Sequence, residues 1–129
     1  MAGVRSHEEL VAWQLVHELK LRVYEIINRE RVKKDFDFCD QIRRSARSAP
    51  RNIAEGFGRY LPGEFAKYLR VANGELKETT DALRDGFDCG YLSEVELTTL
   101  QRLAYRASKA TTNLIAYLRR SNPPNEHRR

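Results

Sequence analysis

The sequence is poor in the features that mark secreted, membrane-spanning and metal-binding proteins. Its two cysteines, Cys39 and Cys89, lie 50 positions apart and match no zinc-ligand spacing, and His7, His17 and His127 are too scattered to pair as ligands. We therefore expect free thiols, no metal and no cofactor. No apolar run approaches the roughly 18 residues needed to cross a bilayer, and no apolar segment near the N-terminus could act as a signal peptide. The expectation is no membrane contact and a cytoplasmic location.

Acidic residues are also scarce, but only in parts of the chain. The 129 residues carry a net charge of +5, with 41% apolar and 32% charged residues, which is typical of one soluble domain. Residues 42–59 contain five arginines and one acid, and residues 97–120 contain five basic residues and no acid. Charge concentrated in this way favours contact with anionic partners.

The first helix is predicted from a capping box and a wide apolar stripe. Ser6 and Glu9 have the capping-box spacing, and the apolar pattern runs to about Asn28. Trp13 and Tyr24 widen the stripe to about half of the helix circumference, more than a surface helix needs. The excess indicates a second contact, such as another subunit.

The second helix follows a polar, mostly basic connector over residues 29–37 and is predicted to begin near Phe38. Pro50 lies in its interior, where a proline removes one backbone hydrogen bond at a cost of roughly 3 kcal/mol. Gly56 and Gly58 weaken its end. Because the helical pattern continues through Pro50, we expect this helix to have a shape that serves a specific function.

The third and fourth helices have clearer signals at their ends. Pro62 suits the first turn of a helix, and Gly90 suits the left-handed residue that stops one. Ser93 and Glu96 form a second capping box. The fourth helix then repeats apolar residues at intervals of three and four, at Leu97, Leu100, Ala104, Ala107, Thr111, Leu114 and Leu118.

Short connectors between long helices favour antiparallel neighbours. We therefore predict an all-α, antiparallel up-down-up-down four-helix bundle over residues 1–120, with a disordered C-terminal tail over residues 121–129. In that topology Cys39 and Cys89 lie at the same end of the bundle.

The basic residues of helices two and four form two stripes on the sides away from the apolar faces. They suit the phosphates of nucleic acid, or they are ordinary solvated faces. No aromatic residue lies among the arginines, which favours duplex or structured RNA over single strands. The predicted nucleic-acid-binding residues are Arg43, Arg44, Arg47, Arg51, Arg59, Arg102, Arg106 and Lys109.

No set of residues predicts catalysis. Ser48 has no base at helical spacing, and Glu55 has no second acid, histidine or metal cluster to work with. We interpret Glu55 as neutralising Arg44 or Arg59, and Asn52 as satisfying carbonyl groups loosened by Pro50. Trp13, Tyr24 and Tyr68 are interpreted as core or subunit contacts rather than as a ligand cage. The protein is therefore predicted not to be an enzyme.

The most specific motif of the sequence is Ser48-x-Pro50-x-Asn52-Ile-Ala-Glu55-Gly56. It is accompanied by Trp13-Gln14, Val23-Tyr24, Gln41-x-Arg43-Arg44, Arg59 and Gly90-Tyr-Leu92. Over about residues 8–120 these motifs resemble the bacterial four helix bundle protein family, also called the 23S rRNA intervening sequence protein or S23 family.

The resemblance implies a four-helix bundle that assembles into a homopentamer. A related protein, the accessory variability determinant of diversity-generating retroelements, is similar and binds nucleic acid and a reverse transcriptase through a basic surface. The implied function is therefore a non-enzymatic oligomer that binds RNA or DNA. The alternative is a scaffold or adaptor that contacts only protein partners.

Overall fold

The chain folds into four long α-helices. The structure is a computed structural model that describes residues 3–59 and 61–121, and within these ranges there is no strand. The predicted all-α four-helix bundle is confirmed. A short 3₁₀ turn at His7–Glu9 precedes the helices, which are α1 (Val11–Ile27), α2 (Phe36–Phe57), α3 (Pro62–Asp88) and α4 (Glu94–Ser121).

The helices pack in a closed order in which α1 contacts α2 and α4, and α3 contacts α2 and α4. α2 is antiparallel to α1, because Cys39 meets Ile27 and Arg47 meets Tyr24. It is also antiparallel to α3, because Ser45 meets Thr79 and Gly56 lies against Tyr68. α2 and α4 therefore lie diagonally across the bundle, with their apolar sides facing each other. The large fully buried residues of the core include Val16, Leu19, Val23, Ile26, Ile42, Ile53, Leu69 and Leu83.

The predicted start of the first helix was wrong. Ser6 opens the 3₁₀ turn and its side chain makes no capping hydrogen bond. The next residue after the turn, Leu10, is buried and has an extended backbone. The 3₁₀ turn is therefore interrupted at Leu10, and α1 begins at Val11. The second capping box is confirmed, because the Ser93 amide donates to Glu96 Oε1 (2.8 Å) and the Glu96 amide donates to Ser93 Oγ (3.1 Å).

The connector between α1 and α2 is more structured than its polar composition predicts. Val32 is fully buried, and the thiol of Cys39, also buried, donates to the Val32 carbonyl oxygen (3.3 Å). α2 begins two residues earlier than predicted, because Asp35 caps it by accepting a hydrogen bond from the Phe38 amide (3.2 Å). Burial of Val32 thus holds the connector, which its polar composition predicts to be a loop, against the core.

The end of the bundle that carries this connector is held by three polar contacts to the α3–α4 loop and the first turn of α4. Arg29 donates to the Tyr91 carbonyl oxygen (3.0 Å) and forms an ion pair with Glu96. The Tyr91 hydroxyl donates to Asp35 (2.6 Å). Gly90 adopts the left-handed conformation predicted for it, with φ of +79°. The loop is thereby fixed against the connector.

The seam between α2 and α3 is closely packed. A Cβ atom on Gly56 would come within 2.7 Å of Tyr68 Cβ and 2.9 Å of Phe65 Cδ1. Thr79 is buried, and its hydroxyl oxygen lies 2.8 Å from that of Ser45. Gly56 therefore permits a close approach of two helices, besides weakening a helix end as the sequence predicts.

Three further expectations concern the C-terminal tail, membrane crossing and the two cysteines. Ser121 is the last residue of α4, and the remainder of the predicted tail, residues 122–129, lies outside the described residues. Among the helices of the described ranges, none combines the length and apolar character that a membrane crossing requires. Cys39 is buried and Cys89 is exposed, and both are free thiols.

Candidate nucleic-acid interface

Three arginines of α2 keep their positive charge without a carboxylate partner in the described ranges. Arg47 and Arg51 are exposed, and Arg43 is partly buried. They follow one another at intervals of four residues, so they share one side of α2. This side faces α1, because the Arg47 Nε donates to the hydroxyl of Tyr24 (2.7 Å). These three residues are named the α2 cationic row.

Two further arginines of the predicted interface, Arg44 in α2 and Arg59 just after α2, form ion pairs. Arg44 pairs with Asp40 (2.7 Å), and Arg59 pairs with Glu55 (2.9 Å). Arg59 also donates to the Tyr68 hydroxyl (2.7 Å) and lies over its ring, 5.1 Å from the ring centroid. The interaction with Tyr68 is the main reason that the pKa of Arg59 is raised. The predicted neutralisation of Arg59 by Glu55 is thus confirmed, whereas Arg44 uses a different acid.

The basic residues of α4 form a second, more open row. Arg102, Arg106 and Lys109 are all exposed, and none has a carboxylate partner in the parts of the chain that the structure describes. Tyr105 lies among them and is 67% exposed. These three basic residues are named the α4 cationic row.

The two cationic rows lie on helices that are not neighbours. α2 and α4 are diagonal in the bundle, and the α2 cationic row lies on the side of α2 that faces α1. The sequence predicts each row but not this relation, because a helical wheel carries no information about which helices are neighbours.

The motif Ser48-x-Pro50-x-Asn52 is a structural feature of α2. Pro50 is buried, and a proline there leaves the carbonyl of Ala46 without its usual amide donor. The Asn52 side chain donates to the Ser48 carbonyl oxygen (3.0 Å). Asn52 therefore satisfies a carbonyl near Pro50, as predicted. That carbonyl belongs to Ser48 and not to Ala46, whose carbonyl loses its donor through Pro50.

A groove between α1 and α2 brings aromatic and basic residues together. It encloses about 230 Å³ and is lined by His7, Trp13, Lys20, Tyr24, Arg47, Pro50, Arg51 and Ala54. The expectation that no aromatic residue accompanies the arginines was wrong, because Trp13 and Tyr24 of α1 line the groove beside the arginines of α2 and Tyr105 lies among the basic residues of α4. The spacing of Trp13, His17, Lys20 and Tyr24, by four, three and four residues, is the sequence signal that identifies this second stripe.

The described residues offer little for catalysis or metal binding. Ser48 has no histidine or carboxylate hydrogen-bonded to it within these ranges, and Glu55 is occupied by Arg59. No group of three or more histidine, cysteine, aspartate or glutamate side chains in the same ranges could hold a metal ion.

The family assignment follows from a match to a family model over residues 8–113, described as the 23S rRNA-intervening sequence protein. The match covers most of the chain. The chain belongs to this family. No curated protein matches the chain.

A solved structure supports the same fold for the 23S rRNA-intervening sequence family. It is a protein of unknown function from the S23 ribosomal protein family of Bacteroides thetaiotaomicron, with a TM-score of 0.73 and 23% sequence identity. The similarity covers 81% of this chain and 98% of that chain. At this identity the likeness shows a shared fold and carries no residue roles.

Proposed function

We propose that this protein is a non-catalytic, oligomeric four-helix bundle that binds RNA or DNA through the basic faces of α2 and α4. The observation that carries the proposal is the unpaired charge of the two cationic rows. Phosphate contacts made by such rows depend on charge rather than on sequence. Arg44 and Arg59 contribute less than predicted, because Asp40 and Glu55 already partner them.

The placement of the rows on diagonal helices favours an assembly over a single copy. A ring of copies repeats each row around its circumference, whichever row meets the nucleic acid. The family resemblance implies a homopentamer, and five copies would multiply weak contacts into a tighter one.

The experiment replaces each row separately. One variant carries Arg43→Gln, Arg47→Gln and Arg51→Gln, and a second variant carries Arg102→Gln, Arg106→Gln and Lys109→Gln. Binding of a 20-base-pair DNA duplex is followed by fluorescence anisotropy as a function of salt, and oligomer mass by light scattering. Removing three phosphate contacts lowers the log–log salt slope by up to about 2.7, since each contact contributes about 0.9.

The proposal requires the slope to fall in at least one variant while helicity and oligomer mass stay the same. Equal slopes in the natural protein and both variants would reject the cationic rows as the binding surface.

A scaffold or adaptor function is the second candidate. It is favoured by apolar side chains on the surface of α4, where Tyr105 is 67% exposed and Val95 is 75% exposed. Isolated exposed apolar groups are common, but several along one helix suit a protein contact. Under this function, Tyr105→Ser lowers the oligomer mass or abolishes partner binding and leaves nucleic-acid affinity unchanged.

A further inference from the structure

The α1–α2 groove has an aromatic end and a cationic end. Trp13 and His7 form the aromatic end, and Lys20, Arg47 and Arg51 form the cationic end. Seven residues separate Trp13 from Lys20 on α1, which is about 10 Å along the helix axis. Ala54 and the buried Pro50 line the groove from α2, where their small side chains leave the space open.

The aromatic end is held in place by ring contacts. The Trp13 indole stacks on the His17 imidazole with ring centroids 4.5 Å apart and planes 10° apart, and His7 meets Trp13 edge-on at 5.2 Å. Burial is the main reason that the pKa of His17 is lowered, so this imidazole is neutral near pH 7. Trp13 is therefore a pre-positioned flat surface, partly exposed to solvent, rather than a loose side chain.

The cationic end is also arranged in advance. Tyr24 accepts a hydrogen bond from Arg47 (2.7 Å), and the Arg47 guanidinium lies 5.6 Å from the centroid of its ring. The Lys20 ammonium lies 5.9 Å from the same centroid. Among the described residues that line the groove, none is acidic. The charge at this end is thus available to an anion.

An aromatic surface beside fixed positive charges matches the alternation of bases and phosphates in an unpaired strand. Bases stack on aromatic side chains whatever their identity, and Lys and Arg follow the backbone. In a duplex the bases are already stacked on each other, so the aromatic end would have no partner there. We propose that the α1–α2 groove binds single-stranded nucleic acid, with a base against Trp13 and the adjoining phosphate near Lys20, Arg47 and Arg51. This rests on the proposed function and specifies the form of its ligand.

The test uses Trp13 as its own reporter, because the chain contains a single tryptophan. The full-length protein is titrated with a ten-nucleotide oligouridylate and, separately, with a DNA duplex of ten base pairs. The single strand is expected to quench Trp13 fluorescence, since stacking changes the surroundings of the indole, and the duplex is expected to leave it unchanged.

Variants separate stacking from general charge. Trp13→Leu is expected to weaken oligouridylate binding about fivefold to a hundredfold, the range measured for loss of one stacked base, with little effect on the duplex. Phe36→Leu is the matched control, because Phe36 is an aromatic residue of α2 that is 80% exposed and lies outside the groove. If Trp13→Leu unfolds the protein, His7→Ala replaces it, since His7 lies in the 3₁₀ turn outside the helices.

The outcomes distinguish this inference from the function on which it rests. Salt-dependent binding of both probes, with no quenching and no effect of Trp13→Leu or His7→Ala, overturns the groove assignment and leaves the proposed function standing. Absence of salt-dependent binding of either probe overturns both. Quenching by uridine monophosphate or by an acidic peptide with the affinity of the oligouridylate also overturns the assignment to a strand.

Discussion

The two sides of α2 differ in how closely they pack. Toward α3, Gly56 lies against Phe65 and Tyr68 with no room for a methyl group, and the hydroxyls of Ser45 and Thr79 are in contact. Toward α1, the small residues Pro50 and Ala54 line an open groove. The same helix therefore forms a closed seam on one side and an accessible, charged surface on the other.

The difference teaches that small residues do not by themselves bring helices together. Gly56 closes the α2–α3 seam because the backbone and Cβ of the facing helix reach it directly. Ala54 and Trp13 both line the α1–α2 groove, where an open space remains between the helices. The small side chains of Pro50 and Ala54 on α2 and the larger ones on α1 do not fill the space between the two helices, so a groove remains.

The closed seam is expected to tolerate no added volume. Gly56→Ala places a Cβ 2.7 Å from Tyr68 Cβ, and overpacking of this kind costs about 1–3 kcal/mol of unfolding free energy. Urea denaturation measures the loss. Gly74→Ala is the control, because nothing lies within 4 Å of its Cβ position in α3 and it should gain about 0.5–1 kcal/mol from helix propensity. A neutral Gly56→Ala variant would show that the seam is looser than described.

The buried hydroxyl pair is expected to contribute about 1 kcal/mol to the same seam. Thr79→Val removes one partner of the 2.8 Å contact with Ser45, and a lost buried hydrogen bond typically costs that amount. Ser45→Ala with Thr79→Val should cost less than the sum of the single changes, because the two residues are in contact. Strict additivity in urea denaturation would indicate that the two hydroxyls act independently.

The connector after α1 is joined to α4 by the Arg29–Glu96 ion pair. The hydrogen bond from Arg29 lowers the pKa of Glu96 to about 2 from 4.5. A carboxylate whose pKa is depressed by folding stabilises the protein above about pH 4.5, and this stabilisation is lost as the pH falls toward 2. Both side chains are more than a third exposed, so screening limits the contribution to about 0.5–1 kcal/mol.

Glu96→Gln is therefore expected to lower stability at pH 7 and to flatten its decline between pH 5 and pH 2. Thermal denaturation across this range measures both effects. Some decline should remain, because the Tyr91 hydroxyl lowers the pKa of Asp35 in the same direction. A pH profile identical to that of the natural protein would exclude the ion pair as a source of acid sensitivity.

The smallest effect on stability is expected in the open groove. Ala54→Leu adds volume where there is space and keeps a good helix former, so the unfolding free energy should change by less than about 0.5 kcal/mol. Oligouridylate affinity should nevertheless fall, because the groove would be filled. Paired urea and fluorescence titrations of this variant show whether space in the groove matters for binding alone.

Most of the fold could be predicted from the sequence, because the signals are local. Helical periodicity, Pro62, Gly90 and the pair Ser93 and Glu96 all act within a few residues, and the structure places each as predicted. The errors arose where a distant contact decides the conformation. Burial of Leu10 displaces the start of α1, and burial of Val32 structures the connector.

The candidate site was predicted less completely. The sequence identifies the arginines of α2 as a group and predicts that Glu55 engages Arg59, but the pairing of Arg44 with Asp40 was not predicted. The aromatic wall of the groove was missed as a part of the site, because Trp13 and Tyr24 belong to a different helix from the α2 cationic row. Pairing of side chains across a seam depends on helix register, which no single helix encodes.

The sequence alone determined four helices, their antiparallel order and the basic faces of α2 and α4, because periodicity and short connectors are properties of contiguous residues. Tertiary structure alone decided that the two cationic rows lie on diagonal helices, that Gly56 closes one seam, and that Trp13 and Tyr24 line the same groove as Arg47. The physical reason is that these relations depend on how helices distant in the chain pack against each other.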